Sequence, residues 1–196
     1  IRDRILSLHA SMIDVSDVLR KSFFDKINSC ILTSATLKVQ NSFDYFLRRV
    51  GLDDNGDVSS KEFLSPFYYN EQVTYYQYGG SKDLSNSPAG IGDVVYHLHN
   101  LFDMRIMVLF TSIRALTDTA KYLRALPDGR NLPLFAQVRG ASRPSIIKGM
   151  HQTSNGILFG TNSFWEGVDL PGELLEILVL VKLPFDVPSE PLVRSY

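Results

Sequence analysis

The chain has 196 residues, 44% apolar and 21% charged, proportions that exclude a disordered or fibrous polymer and suit one large or two small globular domains. Its net charge of −1 selects no polyanionic partner by itself, and no apolar run reaches the roughly 18 residues that a membrane-spanning helix needs. One cysteine, Cys30, excludes an internal disulfide and any four-cysteine iron–sulfur or zinc site built by this chain alone; with no signal-peptide layout in IRDRILSLHA, it predicts a cytoplasmic protein.

In chain order, Ile1, Ile5, Leu8, Met12, Val15, Leu19 and Phe23 step by three and four, which predicts a helix within residues 1–27. CILTSATL (30–37) reads as a buried strand that opens into small hydroxylated residues. Phe43, Phe46, Leu47 and Val50 mark a short amphipathic helix, stopped by Gly51 and the Asp53-Asp54-Asn55-Gly56 cluster. Residues 51–62 nearly match a calcium-binding loop, but Gly51 stands where the first carboxylate ligand belongs. PFYYNEQVTYYQY (66–78) is rich in tyrosine and predicts one or two strands. GGSKDLSNSPAGIG (79–92) predicts a loop.

From residue 92 the pattern alternates. Helices are expected at 92–102, 112–126 and 143–152, and strands at 105–110, 132–136, 156–160 and 176–182. Strands alternating with helices predict an α/β fold, a parallel sheet with helices on both faces.

Charge is unevenly spread. Residues 103–153 hold eight Lys/Arg against three Asp, and residues 154–196 hold two against six acids. A basic centre beside an acidic end is compatible with a one-sided nucleic-acid surface, and equally with solvated helix faces.

Three segments carry chemistry. In MVLFTSIRALTDTAKYL (107–123) a strand runs into Thr111-Ser112 at a helix start, where hydroxyls cap free N–H groups and those amides attract phosphate. LFAQVRGASR (134–143) follows a strand with Gln137, Gly140, Ser142 and Arg143, a glycine-bent turn with a guanidinium suited to phosphate. GILFGTNSFWEGVDLP (156–171) turns from a buried strand into a polar, glycine-hinged loop. Thr161, Asn162 and Ser163 can face a sugar–phosphate backbone, Phe164 and Trp165 can stack on a base or seal the core, and Asp169 can accept from a ribose hydroxyl.

The first and last of these segments resemble motifs IV and V of superfamily 2 helicases of the DinG/XPD branch, the middle one resembles that branch's strand, Ala-Gln and Gly/Ser/Arg-rich turn, and LTSATL (32–37) resembles its motif III. SFDYFLRRVGL (42–52) and KLPF (182–185) look like its continuation. The resemblance implies a RecA-like second lobe over residues 66–196, preceded by the end of the first lobe over 1–65. It implies single-stranded DNA contacts at Thr111, Ser112, Gln137, Arg143, Thr161, Asn162 and Ser163, and ATP contacts at Gly167 and Asp169. Ser34, Ala35, Thr36 and Glu166 would couple the two. The implied partners are single-stranded DNA, ATP with Mg²⁺ and the first lobe of the same protein, with no membrane. The rival expectation is a nucleic-acid-binding or nuclease-associated domain that kept the fold without a motor.

No G-x-x-x-x-G-K-[ST] phosphate loop and no Asp-Glu pair after an apolar strand occur in the sequence. The resemblance implies that these precede residue 1 and that an arginine-bearing motif VI follows Tyr196. Alone, the chain is therefore expected to hydrolyse no ATP, with no catalytic residue or metal site of its own, which a phosphate-release assay on the purified chain checks.

Overall fold

The computed structural model describes residues 10, 12–53, 56–80, 83–138, 141–165, 168 and 170–185. The chain divides into two compact units, one through Tyr76 and one over Gln77–Phe185.

In the first unit, α1 (Ser16–Ser22) is followed by a 3₁₀ turn at Phe24–Lys26 and packs on α2 (Asp44–Val50). Met12 and Val15 of the expected stripe precede α1, and Ile1, Ile5 and Leu8 lie outside the described residues. Gln40 and Asn41, both at positive φ, make the tight turn that pairs Val39 with Ser42. Gly51 ends α2 with φ at 78°, and a Cβ there would lie 2.5 Å from the Ser16 carbonyl oxygen. Only glycine fits both the left-handed backbone and the approach of α1.

Two expected strands do not form. Residues 30–37 are irregular and exposed, with Ile31 89% exposed. Residues 66–78 give a bend, one helical turn, α3 (Tyr69–Gln72), and otherwise irregular backbone with no strand pairing, with Tyr75 and Tyr76 open to solvent. The physical reason is shared: a β-rich segment becomes a strand only where a neighbour accepts its ladder hydrogen bonds, and this unit has no named strand among its described residues.

The second unit is a four-stranded, all-parallel sheet in the order β2-β3-β1-β4, with β1 at Ile106–Leu109, β2 at Leu134–Ala136, β3 at Ile157–Gly160 and β4 at Ile177–Leu180. Among the described residues, four α-helices accompany it: α4 (Pro88–Leu101), α5 (Ile113–Ala125), α6 (Arg143–His151) and the single turn α7 (Asn162–Trp165). The α/β parallel fold expected from the alternation is the one observed.

α4 starts earlier than the expected residue 92, because Ser87 caps the Gly90 N–H at 3.1 Å and Pro88 fills the first turn. The Ser-Pro pair was the signal. α7 falls where the sequence suggested only a loop.

Side-chain alternation on the strands builds two cores. Ile106, Val108, Phe110, Ile157 and Phe159 face α4 and α5 through Ile91, Val95, Leu116, Ala120 and Leu123. Met107, Leu109 and Leu158 face α6 and α7 through Ile146, Met150 and Phe164. β1 and β3 are therefore buried on both faces, whereas Leu178 and Leu180 on β4 stay half exposed.

Phe159 and Phe110 meet at 5.0 Å between ring centroids, both fully buried. Phe159→Ala is expected to cost about 3–5 kcal/mol, read as a lower urea midpoint at unchanged m-value.

Candidate nucleic-acid interface

Because β1 feeds α5 on one face and β3 feeds α7 on the other, two adjacent strands send their connections to opposite sides of the sheet. At their carboxyl ends the chain parts, and such a split is where an open α/β sheet forms its ligand crevice.

Thr111 and Ser112 leave β1 at this point, both exposed. The Ser112 hydroxyl accepts from the Ala115 N–H at 3.4 Å, a loose cap on α5.

On the other side, the Thr161 N–H and hydroxyl both lie against Gln137 Oε1, at 3.0 and 2.9 Å. Gln137 Nε2 donates to Ser163 Oγ at 2.9 Å, and its backbone N–H continues the ladder to the Phe159 carbonyl at 3.0 Å. One side chain at the end of β2 thus holds the first residues after β3. Thr161 is 6% exposed, while Ser163 faces solvent.

The aromatic pair seals rather than projects. Phe164 is 3% exposed, and its backbone N–H donates to the Thr161 carbonyl at 2.7 Å. Trp165 is half-buried against the α6-side core and donates its indole N–H to the Phe110 carbonyl at 3.4 Å, bridging α7 to the end of β1. A Cβ on Gly160 would lie 2.6 Å from the Phe164 Cβ, so glycine at the end of β3 permits the tight return of α7.

Arg143 opens α6 beside Ser142, whose hydroxyl accepts from the Ser145 N–H at 3.3 Å. The Arg143 guanidinium lies 5.6 Å from the centre of the Phe164 ring.

The structure therefore brings Thr111, Ser112, Gln137, Arg143, Thr161 and Ser163 to the carboxyl edge, with Asn162 as the first residue of α7. Ser34, Ala35 and Thr36 form an exposed turn in the other unit, where Ser34 Oγ accepts from the Thr36 N–H at 3.3 Å. Glu166, Gly167 and Asp169, together with Arg139 and Gly140, lie outside the described residues.

The basic segment does not collect on one surface. Arg105 sits at the opposite, amino edge and is a brace: its Nε donates to the Met150 and Thr153 carbonyls at 3.1 and 2.7 Å, and Nη1 to the Glu173 carbonyl at 2.7 Å. Charge counting could not distinguish it from a surface cation. Arg114 and Lys121 flank Asp118 at 3.8 and 3.6 Å on the exposed face of α5, pairs of small worth. Among the described residues, Arg114 and Arg143 are carried to the carboxyl edge by the first turns of their helices, and Lys182 stands two residues past the end of β4.

Sequence reasoning also missed a polar chain by β4. Lys182 Nζ donates to Asn86 Oδ1 at 2.6 Å, and Asn86 Nδ2 donates to Asp83 at 3.2 Å. Hydrogen bonding from Ser85 holds the Asp83 carboxyl below the usual range.

Residues 96–196 match the helicase C-terminal domain family. The chain belongs to that family. It is 33% identical over 193 residues to the 3'-5' exonuclease DinG of Bacillus subtilis, 95% of this chain and 21% of that protein. It is 30% identical to the ATP-dependent DNA helicase DinG of Photobacterium profundum, over 96% of the chain and 28% of that protein. For the ATP-dependent DNA helicase YoaA of Escherichia coli the identity is 29%, over 98% of the chain and 29% of the relative. The chain thus spans less than a third of the length of each of these relatives.

Adding a methyl group at Gly160 must push α7 off the sheet. Gly160→Ala is expected to destabilise by about 1–3 kcal/mol and to shift the fluorescence of Trp165, the sole tryptophan, to longer wavelength.

Proposed function

We propose that this helicase C-terminal domain is the second motor lobe of an ATP-driven DNA helicase, and that its carboxyl edge tracks single-stranded DNA. The observation that carries the reading is the convergence of hydroxyl and amide side chains from the ends of β1, β2 and β3 where the chain parts between α5 and α7. Phosphate oxygens accept hydrogen bonds, and an edge of O–H and N–H donors with Arg143 and Arg114 close by supplies what a DNA backbone needs without reading its bases. Two of the relatives are named ATP-dependent DNA helicases.

Gly167 and Asp169 would face ATP on the other side of the same connection, with Glu166 and the Ser34–Thr36 turn transmitting between nucleotide and strand. Mg²⁺ and most of the triphosphate would be held by the first lobe, to which residues 1–65 belong in this reading; residues 66–196 form the second lobe up to motif VI. Exposure of Ile31, Phe63 and Leu64 supports that division, since apolar side chains so placed call for further polypeptide. Closure of the lobes around ATP would then move the second along the strand.

The other reading, a lobe that only positions DNA for a nuclease, takes its support from the name of the Bacillus subtilis relative, a 3'-5' exonuclease.

In the full-length protein that carries this chain, Thr111→Ala should weaken binding of a single-stranded oligonucleotide roughly tenfold, the worth of one hydrogen bond to a charged group. Asp169→Ala should raise the KM for ATP with DNA affinity little changed. Fluorescence anisotropy and steady-state ATPase kinetics measure the two; a reversal of the effects, or unaltered ATP kinetics in Asp169→Ala, sinks the two-sided assignment, and a full-length protein without DNA-stimulated ATPase favours the motorless lobe.

A further inference from the structure

We propose that Gln137 is a positioning residue that decides which hydroxyl of the β3–α7 connection donates to a bound strand: it takes up the proton of Thr161 and leaves that of Ser163 free for phosphate. The proposal rests on the reading of this edge as a DNA site and assigns the roles within it.

The direction of each hydrogen bond follows from one group that cannot be reversed. A backbone N–H only donates, so the Gln137 atom 3.0 Å from the Thr161 nitrogen must be the carbonyl oxygen. That fixes the amide, which could otherwise be turned end for end. An amide oxygen only accepts, so the Thr161 hydroxyl, 2.9 Å from the same atom, must spend its proton on it. The amide nitrogen is then the end that meets Ser163 at 2.9 Å, and because it only donates there, Ser163 Oγ must accept. Ser163 keeps its own O–H for another acceptor.

Exposure points the same way, independently. Thr161 is 6% exposed, whereas Ser163 is open to solvent. A phosphate oxygen at this edge needs a donor within reach. Ser163 has the free proton and the access; Thr161 has neither. Gln137 touches no reacting atom in this scheme. It acts through Ser163, by keeping that hydroxyl's lone pairs occupied and its proton outward, and through Thr161, by pinning the first residue after β3.

The test uses the full-length protein, a fluorescent oligothymidylate and anisotropy titrations without nucleotide, with circular dichroism and the urea midpoint showing that each variant is folded. Ser163→Ala should lower affinity about tenfold. Thr161→Val, which keeps the shape and the backbone bond to Gln137, should lower it less than Ser163→Ala. Gln137→Glu still accepts from Thr161 but cannot donate, so the Ser163 proton turns inward onto the carboxylate and affinity should fall as far as in Ser163→Ala. The double variant Gln137→Glu/Ser163→Ala should then bind no more weakly than Gln137→Glu alone, since both changes remove the same donor. A merely structural clamp would survive Gln137→Glu, and simple charge repulsion would leave the double variant well below either single one; either result overturns the proposal. So does a larger loss in Thr161→Val than in Ser163→Ala, which would make Thr161 the donor. If Thr111→Ala, Thr161→Val and Ser163→Ala all bind as the parent does, the DNA edge itself is absent and the role assignment goes with it.

Discussion

The burial of β1 and β3 on both faces is the constraint from which the carboxyl edge follows. Each strand alternates its side chains between two apolar layers, so neither face can be left to water, and helices must cover both. With α4 and α5 on one side and α6 and α7 on the other, the connections from two neighbouring strands diverge. The chain therefore parts at their carboxyl ends, with a hydroxylated residue at each exit, Thr111 and Thr161. Packing in the core thus determines where polar chemistry can stand, although no polar residue of the edge takes part in that packing except Thr161, whose burial is compensated by its bond to Gln137.

How much of this was legible in the sequence differs between the two units for one reason. In the second unit every strand has its neighbour within the same stretch of chain, so the runs at 105–110, 156–160 and 176–182 were read nearly to their true ends. Helix starts are legible where a capping residue stands: Ser112 and Ser142 mark α5 and α6, and Ser87-Pro88 marks α4, ahead of the periodicity that sets in near residue 92. In the first unit the runs around Ile31 and Tyr75 have the same composition as strands and form none, because composition gives a preference for extended backbone and the ladder must come from elsewhere. The absence of any fully buried apolar side chain before Ile91 among the described residues has the same origin.

At the edge, the sequence identified the residues but not what they do to one another. That Gln137, Thr161 and Ser163 sit in two strand-to-loop turns was readable; that β2 lies beside β3, so that a glutamine after one strand grips the turn after the other, depends on strand order, which no local pattern encodes. The same holds for Arg105. Its partners, Met150, Thr153 and Glu173, are far away in sequence, and only the return of α6 and of the segment before β4 to the amino edge brings their carbonyls to one guanidinium.

Electrostatics and hydrogen-bond direction also make separate demands on a DNA-facing edge. Cations set the strength of attraction to a polyanion and its dependence on salt; among the described residues at this edge, Arg114 stands close to Asp118, Arg143 leans over Phe164, and Lys182, just past β4, donates to Asn86. Under the proposed function, a lobe that releases and regrips a strand would be poorly served by dense positive charge, which holds any polyanion continuously. Neutral donors whose protons point outward bind only when a phosphate is in register, and they let go when the lobe shifts by a fraction of the spacing between phosphates. The exposed hydroxyls of Thr111, Ser112 and Ser163 would meet this second demand.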